Sequence, residues 1–183
     1  MYTWGGDHPR IQPANRRQTR PLCQNRRRRT LLLHPLEQEL RAHRNAWQNP
    51  EVRERYRRRG EFERLINRSG PTKGRLLRPS DGHPPRRIAF IQCVGSRGEG
   101  HESGCQYCSR FCCMNAVKDS MLIRQHDPSV EDITVLYTDL RAFGKGFDDF
   151  VKRSLDEQSA TYLRGRPSKI DIVPEDDTLE IFV

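Results

Sequence analysis

The spacing of apolar positions along the chain predicts strands that alternate with helices. A continuous apolar run within Arg87–Cys93 is typical of a strand buried on both faces. Apolar residues then recur at helical spacing from about Ser109 to His126. Two further strands are predicted at Asp132–Thr138 and Ala160–Arg164, with a helix at about Phe147–Gln158 between them. The order is β-α-β-α-β.

A hairpin is predicted after these elements, with strands Lys169–Val173 and Thr178–Val183 joined across residues 174–177. Strands that alternate with helices at this spacing imply a parallel sheet with right-handed crossovers. The sequence therefore predicts an α/β fold: half of a dinucleotide-binding, Rossmann-like unit with a C-terminal hairpin, spanning 87–183. Three strands make a thin sheet with exposed edges, so we expect a piece of a larger protein or a need for a partner.

The first 60 residues differ from the rest, since they hold fifteen arginines, no lysine and five acidic residues. They lack helical or strand periodicity, and the segment is predicted to be basic and disordered. It is open whether this segment is an out-of-frame or wrongly started stretch, a solvated tail or a nucleic-acid-binding arm, the last being the least favoured. Residues 61–86 are predicted to be a linker with a short helix at Glu61–Ile66.

The remaining residues are nearly neutral although the chain as a whole carries a formal charge of +9. No apolar run reaches transmembrane length, and Arg16-Arg17 is not followed by the apolar stretch of an export signal. Clustered rather than dispersed cysteines indicate a reducing compartment, so we expect a cytoplasmic location.

Five of the six cysteines lie where the first predicted strand turns into the first predicted helix, and they are Cys93, Cys105, Cys108, Cys112 and Cys113. The last three are predicted on the first helical turn, where backbone N–H groups and the helix dipole favour thiolates and anionic clusters. Such a turn is where α/β proteins bind cofactors. The pattern favours an iron–sulfur centre, with zinc as the main alternative.

Zinc would require four sulfur atoms to converge on one point, whereas adjacent cysteines on a helix diverge. The Cys105–Cys108 spacing is finger-like, but no second such pair follows, and His101 would have to substitute. A set of partly buried thiols without any metal is the third alternative. Asp139 ends the second strand, where it could bind a ribose hydroxyl or simply cap the loop. Four nearby cations could face an anionic cofactor or partner or could be solvated, and they are Arg141, Lys145, Arg164 and Arg166.

Several short motifs resemble the A subunit of heterodisulfide reductase over about residues 61–183. They are Phe62-Glu-Arg-Leu, Ser69-Gly-Pro-Thr72, Leu77-Arg-Pro-Ser-Asp-Gly82, Ile88-Ala-Phe-Ile-Gln-Cys-Val-Gly-Ser-Arg97, Tyr107-Cys-Ser-Arg-Phe-Cys-Cys-Met114, Asp139-Leu-Arg-Ala-Phe-Gly-Lys-Gly146 and Arg164-Gly-Arg-Pro-Ser-Lys169. The resemblance implies an iron–sulfur flavoprotein subunit with a thioredoxin-reductase-like core. It also implies a [4Fe–4S] cluster bound by Cys93, Cys108, Cys112 and Cys113, with Cys105 a bystander.

The family's FAD fingerprint belongs to an earlier segment, and its ferredoxin-type cysteine motifs are missing from this chain. The resemblance thus implies FAD for the whole family protein rather than for this chain. The expected function is that of an electron-transfer fragment of an oxidoreductase, inactive in isolation, whose partners are other heterodisulfide reductase subunits or redox proteins. The alternatives are a zinc-stabilised binding module with a basic nucleic-acid-binding arm, or a non-functional truncated remnant.

Overall fold

A central parallel sheet organises the protein, as shown by a computed structural model that describes residues 30–34, 56–78, 81–94, 96–97, 106–157, 159–173 and 178–183. In chain order its strands are β1 (Thr30–His34), β2 (Tyr56–Arg58), β3 (Arg87–Ile91), β4 (Asp132–Tyr137) and β5 (Thr161–Arg164). Their order across the sheet is β2-β1-β3-β4-β5, and every neighbouring pair is parallel.

Within the described residues, three helices accompany the sheet: α1 (Arg59–Ile66), α2 (Cys112–His126) and α3 (Phe147–Asp156). Their apolar residues pack on one face of the sheet, where Ile88 and Phe90 of β3 and Ile133 of β4 are buried. The Phe62 ring of α1 meets the Phe90 ring edge-on, with centroids 6.5 Å apart. Strand residues that alternate with these point to the opposite face.

An antiparallel hairpin made of β6 (Lys169–Val173) and β7 (Thr178–Phe182) supplies the cover for that opposite face. Ala89 and Ile91 of β3 are buried there together with Leu179 of β7. Because both faces of β3 are covered, its side chains form the continuous apolar run seen in the sequence. The predicted α/β class, the β-α-β-α-β order and the hairpin are confirmed.

The sheet is wider than the three strands predicted, because β1 and β2 extend it on the β3 side. Both strands fall within the first 60 residues, where the composition had predicted disorder. A run of three leucines, Leu31 to Leu33, provides the strand-forming stretch that pairs with β3. The segments on either side are rich in arginine, so the average composition of the region does not indicate a strand. The other predictions for residues 1–60 concern parts of the chain outside the described residues, so the domain division stays a prediction.

Among the described residues, no helix is both long and apolar enough to cross a bilayer.

Candidate functional site: a thiol cluster at the strand ends

Four of the five clustered cysteines lie at the carboxyl end of β3 and at the start of α2. Cys93 follows β3 by two residues, Cys108 lies in the loop before α2, and Cys112 and Cys113 are the first two residues of that helix. All four are thiols, and all but the half-buried Cys108 are at least nine-tenths buried. The fifth, Cys105, lies outside the described residues.

The prediction that Cys108 shares the first helical turn with Cys112 is wrong, because the helix begins only at Cys112. The reason is local: Arg110 has a φ of 59°, a left-handed conformation that cannot continue a helix. The backbone N–H of Arg110 donates to the Cys108 sulfur at 3.3 Å, so the loop turns around this thiol. Cys108 thus reaches the site from a loop rather than from a helix face.

The thiols of Cys112 and Cys93 both affect the buried thiol of Cys113. The hydrogen bond with the Cys112 thiol is the largest cause that raises the pKa of Cys113 above its ordinary value, and burial is the second. Negative charge on Cys112 or on Cys93 raises this pKa further, whereas the backbone amide of Arg141 lowers it. Cys93 therefore lies within electrostatic range of the pair that begins α2, although it is distant from Cys113 along the chain.

The thiol of Cys113 also donates to the backbone carbonyl of Asp139 at 3.6 Å. Asp139 follows β4, so this contact links the start of α2 to the carboxyl end of the neighbouring strand. The helix begins without a capping side chain, since Phe111 precedes it and its first turn holds no acidic residue. Cysteines occupy the positions where anionic groups are stabilised by the helix N-terminus.

The backbone around Cys93 is held in an unusual conformation. Cys93 has a φ of 58° and Arg97 a φ of 62°, both in the left-handed region that glycine normally fills. Each such residue costs about 1–3 kcal/mol and persists only when its surroundings impose it. Two arginine contacts impose it here: Arg97 forms an ion pair with Asp139, and Arg166 donates from its Nη2 to the carbonyl oxygens of Cys93 and Ser96.

Asp139 uses both carboxylate oxygens for arginines, Oδ1 for Arg97 and Oδ2 for Arg141 at 3.2 Å. These contacts favour the structural alternative for Asp139, a residue that fastens a loop, over the binding of a ribose hydroxyl. The roles of Arg97 and Arg166 could not be found from the sequence. Arg166 lies 73 residues from Cys93, and no local pattern marks a contact over that distance.

A cleft of about 660 Å³ opens at the carboxyl end of β4. Its apolar lining consists of Tyr137, Leu140, Ala142, Phe143, Val151 and Leu155. Asp139 and Arg141 line it as well, and both are backbone neighbours of the Cys113 thiol. Phe143 is 63% exposed at the edge, where the Arg110 guanidinium lies over its ring at 5.6 Å. The cleft thus shares Asp139 and Arg141 with the surroundings of Cys113, and its volume suits a cofactor or a partner side chain.

The donor types fit a thiolate-bound group, since four cysteines and several guanidinium groups belong to the segments at one end of the sheet. Gln92, next to Cys93, is 4% exposed, and its Oε1 has no hydrogen-bond partner among the described residues. A bound group, a water molecule or a residue outside the described ranges would have to supply that partner. Within the described part of the chain, no three His, Cys, Asp or Glu side chains are placed to hold a single metal ion. A multi-iron cluster is wider than one zinc ion and needs its sulfur ligands farther apart.

The curated proteins to which this chain is similar are named as A subunits of heterodisulfide reductases. The chain is 52% identical over 110 residues to the A subunit of the H(2):CoB-CoM heterodisulfide,ferredoxin reductase of Methanothermobacter marburgensis, covering 60% of the chain and 16% of that protein. It is 48% identical over 123 residues to the iron-sulfur A subunit of the CoB–CoM heterodisulfide reductase of Methanocaldococcus jannaschii, covering 67% of the chain and 18% of that protein. The matched part of this chain corresponds to a segment of the heterodisulfide reductase A subunit.

A third relative, the A subunit of the H(2)/formate:CoB-CoM heterodisulfide,ferredoxin reductase of Methanococcus maripaludis, is 48% identical over 67% of the chain and 18% of its own length. The chain therefore spans about a sixth of the length of these heterodisulfide reductase A subunits. No protein-family model matches the chain. The resemblance found in the motifs is confirmed.

Proposed function

We propose that this chain carries electrons through one [4Fe–4S] cluster held by Cys93, Cys108, Cys112 and Cys113, as a segment of a heterodisulfide reductase A-type subunit. The placement of buried Cys93 just after β3 and of buried Cys112 and Cys113 at the start of α2 is the observation that carries the proposal, because thiols of a strand end and a helix start then belong to the same end of the sheet. One relative is named an iron-sulfur subunit, which supports the same assignment.

Each part of the site has a separate task in this proposal. A bound cluster would supply one-electron transfer. The four thiols must lose their protons to bind iron, and the uncapped start of α2 stabilises the resulting negative charge at Cys112 and Cys113. Arg97, Arg141 and Arg166 place positive charge around it. Burial of three of the sulfurs keeps water and oxidants away from them.

The same proposal covers the setting in which the chain works. Thiolate chemistry of this kind belongs in a reducing compartment, so a cytoplasmic location is proposed. Partners are expected among other heterodisulfide reductase-type subunits or redox proteins, since the relatives are named as subunits. The fold is proposed to be half of a dinucleotide-binding unit, on the strength of the parallel β-α-β-α-β arrangement. Flavin binding stays a prediction for the whole family protein.

Anaerobic reconstitution of the full 183-residue chain with ferrous iron and sulfide tests the proposal. We expect about four iron and four sulfide per chain, broad visible absorption and an EPR signal after reduction. The Cys105→Ser variant is the matched control, because it removes a neighbouring thiol outside the proposed ligand set. A colourless protein that binds zinc instead would support the zinc alternative, and a protein that binds neither would show that the thiols form no metal centre.

A further inference from the structure

We infer that Arg166 is a positioning residue for the Cys93 thiol, and that it holds the turn after β3 in the conformation that binding of a metal cluster needs. The inference rests on the proposed function, because a bound cluster is what Cys93 would be positioned for. The positioning itself is argued from contacts among the described residues. A single guanidinium nitrogen, Nη2 of Arg166, donates to the carbonyl oxygen of Cys93 and to that of Ser96, the latter at 2.6 Å.

These two carbonyls bracket a turn that would otherwise relax. Cys93 has a φ of 58°, which an L-residue with a side chain adopts only under constraint. A charged donor that binds both carbonyls lowers the energy of this conformation relative to an extended one.

Arg166 is itself held by rigid elements on both sides. The backbone N–H of Gly165 donates to the Tyr137 carbonyl at 2.8 Å, which fastens the residue before Arg166 to the end of β4. The backbone N–H of Ser168, two residues after Arg166, donates to the Phe182 carbonyl of β7 at 2.8 Å. The short link between β5 and β6 thus aims Arg166 at the Cys93 turn, and the covering hairpin becomes a support for the thiol site.

The same guanidinium places a positive charge beside the turn that carries one proposed ligand. Positive charge favours the more negative, reduced form of any anionic redox group nearby. Arg166 should therefore influence both how well Cys93 is held and how readily a bound cluster accepts an electron. Those two effects can be separated by a substitution that keeps the charge and one that removes it.

The test compares Arg166→Gln, Arg166→Lys and the control Arg164→Gln. Arg164 lies two residues away and donates from its Nε to the carbonyl of Thr138 at 3.0 Å, so its loss removes the same charge and a similar contact without touching Cys93. The first measurement is the rate at which iodoacetamide alkylates Cys93 in the cluster-free protein, followed by peptide mass spectrometry. Circular dichroism confirms that each variant is folded.

We expect Arg166→Gln to raise the Cys93 alkylation rate about tenfold or more, since losing a hydrogen bond to a charged group shifts a local opening equilibrium by about that factor. Arg166→Lys should give an intermediate rate, and Arg164→Gln a rate close to that of the wild type. Equal rates for Arg166→Gln and Arg164→Gln would overturn the inference, whether or not the protein takes up iron.

The second measurement is the midpoint potential of the reconstituted proteins. Arg166→Gln is expected to retain less iron and to shift the potential to more negative values than Arg164→Gln does, with Arg166→Lys close to the wild type in potential. If the wild type binds a cluster but the Arg166→Gln and Arg164→Gln variants have the same iron content and midpoint potential, the inference is overturned and the proposed function stands. A wild type that takes up no cluster would overturn the proposed function, while the alkylation rates would still decide whether Arg166 holds Cys93.

Discussion

Asp139, which follows β4, forms an ion pair with Arg97, which follows β3, and so joins two strand ends across 42 residues of sequence. The Asp139 carbonyl also accepts from the Cys113 thiol, so one residue contacts both the loop after Cys93 and the start of α2. Asp139 thus links the loop after Cys93 to the start of α2, and such a link is possible because the carboxyl ends of neighbouring parallel strands meet at one edge of the sheet.

The Asp139→Asn substitution is predicted to lower the free energy of unfolding by less than about 1 kcal/mol, because both partners of the pair are partly exposed. Urea unfolding at low salt and at about 1 M salt measures the loss, which should shrink as salt screens the pair. The control is Asp148→Asn, which breaks the pair with Lys152 on the surface of α3. A large loss for Asp139→Asn that salt leaves unchanged would show that the carboxylate has a role other than ion pairing.

Serine substitutions at the four proposed ligands should separate them from Cys105. We predict that Cys93→Ser, Cys108→Ser, Cys112→Ser and Cys113→Ser each reduce iron retention. Loss of a ligand's hydrogen-bonding partner weakens metal binding by about 10–100-fold, and loss of the ligand itself should do at least as much. Iron and sulfide analysis after desalting is the measurement. If Cys105→Ser loses as much iron as the other four variants, the proposed ligand set is incorrect.

The fold was largely predictable because its signals are local. The apolar run of β3 and the helical spacing that ends at His126 placed those elements within two or three residues. β1 could not be predicted, because its leucines are hidden by the arginines around them. The start of α2 was misplaced because the left-handed backbone of Arg110 carries no sequence signature outside glycine and asparagine.

The thiol site was predictable only in part. The cysteines could be selected from their clustering, and their placement at a strand end and a helix start followed from the predicted elements. The residues that shape the site could not, since Arg97 and Arg166 act through ion pairs and backbone carbonyls over 42 and 73 residues. Charged residues on loops give no pattern from which such contacts can be inferred.

Stability at high pH is predicted to depend on Tyr162, which is 1% exposed and whose hydroxyl lies 2.8 Å from the Ser154 Oγ. Burial raises the pKa of Tyr162 above its ordinary value, while hydrogen bonds with Ser154 and Ser120 act in the opposite direction. In the unfolded chain this phenol ionises near pH 10, and in the folded protein at higher pH. Above about pH 10 the unfolded state has therefore lost a proton that the native state keeps, so stability falls as pH rises.

The Tyr162→Phe substitution should lower the free energy of unfolding by about 0.5–1.5 kcal/mol at neutral pH, because it removes the hydrogen bonds of the hydroxyl group. Above about pH 10 the free energy of unfolding of the variant should fall less steeply with pH than that of the wild type. The decline that remains includes the contribution of Tyr137, whose pKa burial likewise raises. Urea unfolding at about pH 8 and about pH 10.5, with phenolate absorbance to follow ionisation, measures both effects. An unchanged decline in the variant would mean that another group governs the alkaline loss of stability.

The hairpin is predicted to be an integral part of the core rather than an appendage, and Leu179 of β7 tests this. Leu179 is fully buried and packs in the cluster formed with Ile91 and Leu136 of the sheet. Leu179→Ala should reduce the free energy of unfolding by about 2–5 kcal/mol, because the cavity lies between two rigid layers. Val183→Ala, at a position 48% exposed just after β7, should change it by no more than about 0.5 kcal/mol.

Urea unfolding of the two variants gives the comparison, and Leu179→Met provides a folded alternative should the alanine variant not fold, with an expected loss below about 1.5 kcal/mol. A Leu179→Ala loss as small as that of Val183→Ala would mean that β6 and β7 do not cover the sheet. The same result would weaken the support of Arg166, because the link that carries it is fastened to Phe182 of this hairpin through Ser168. A large loss, in contrast, ties the stability of the second face of the sheet to the residues that hold Cys93.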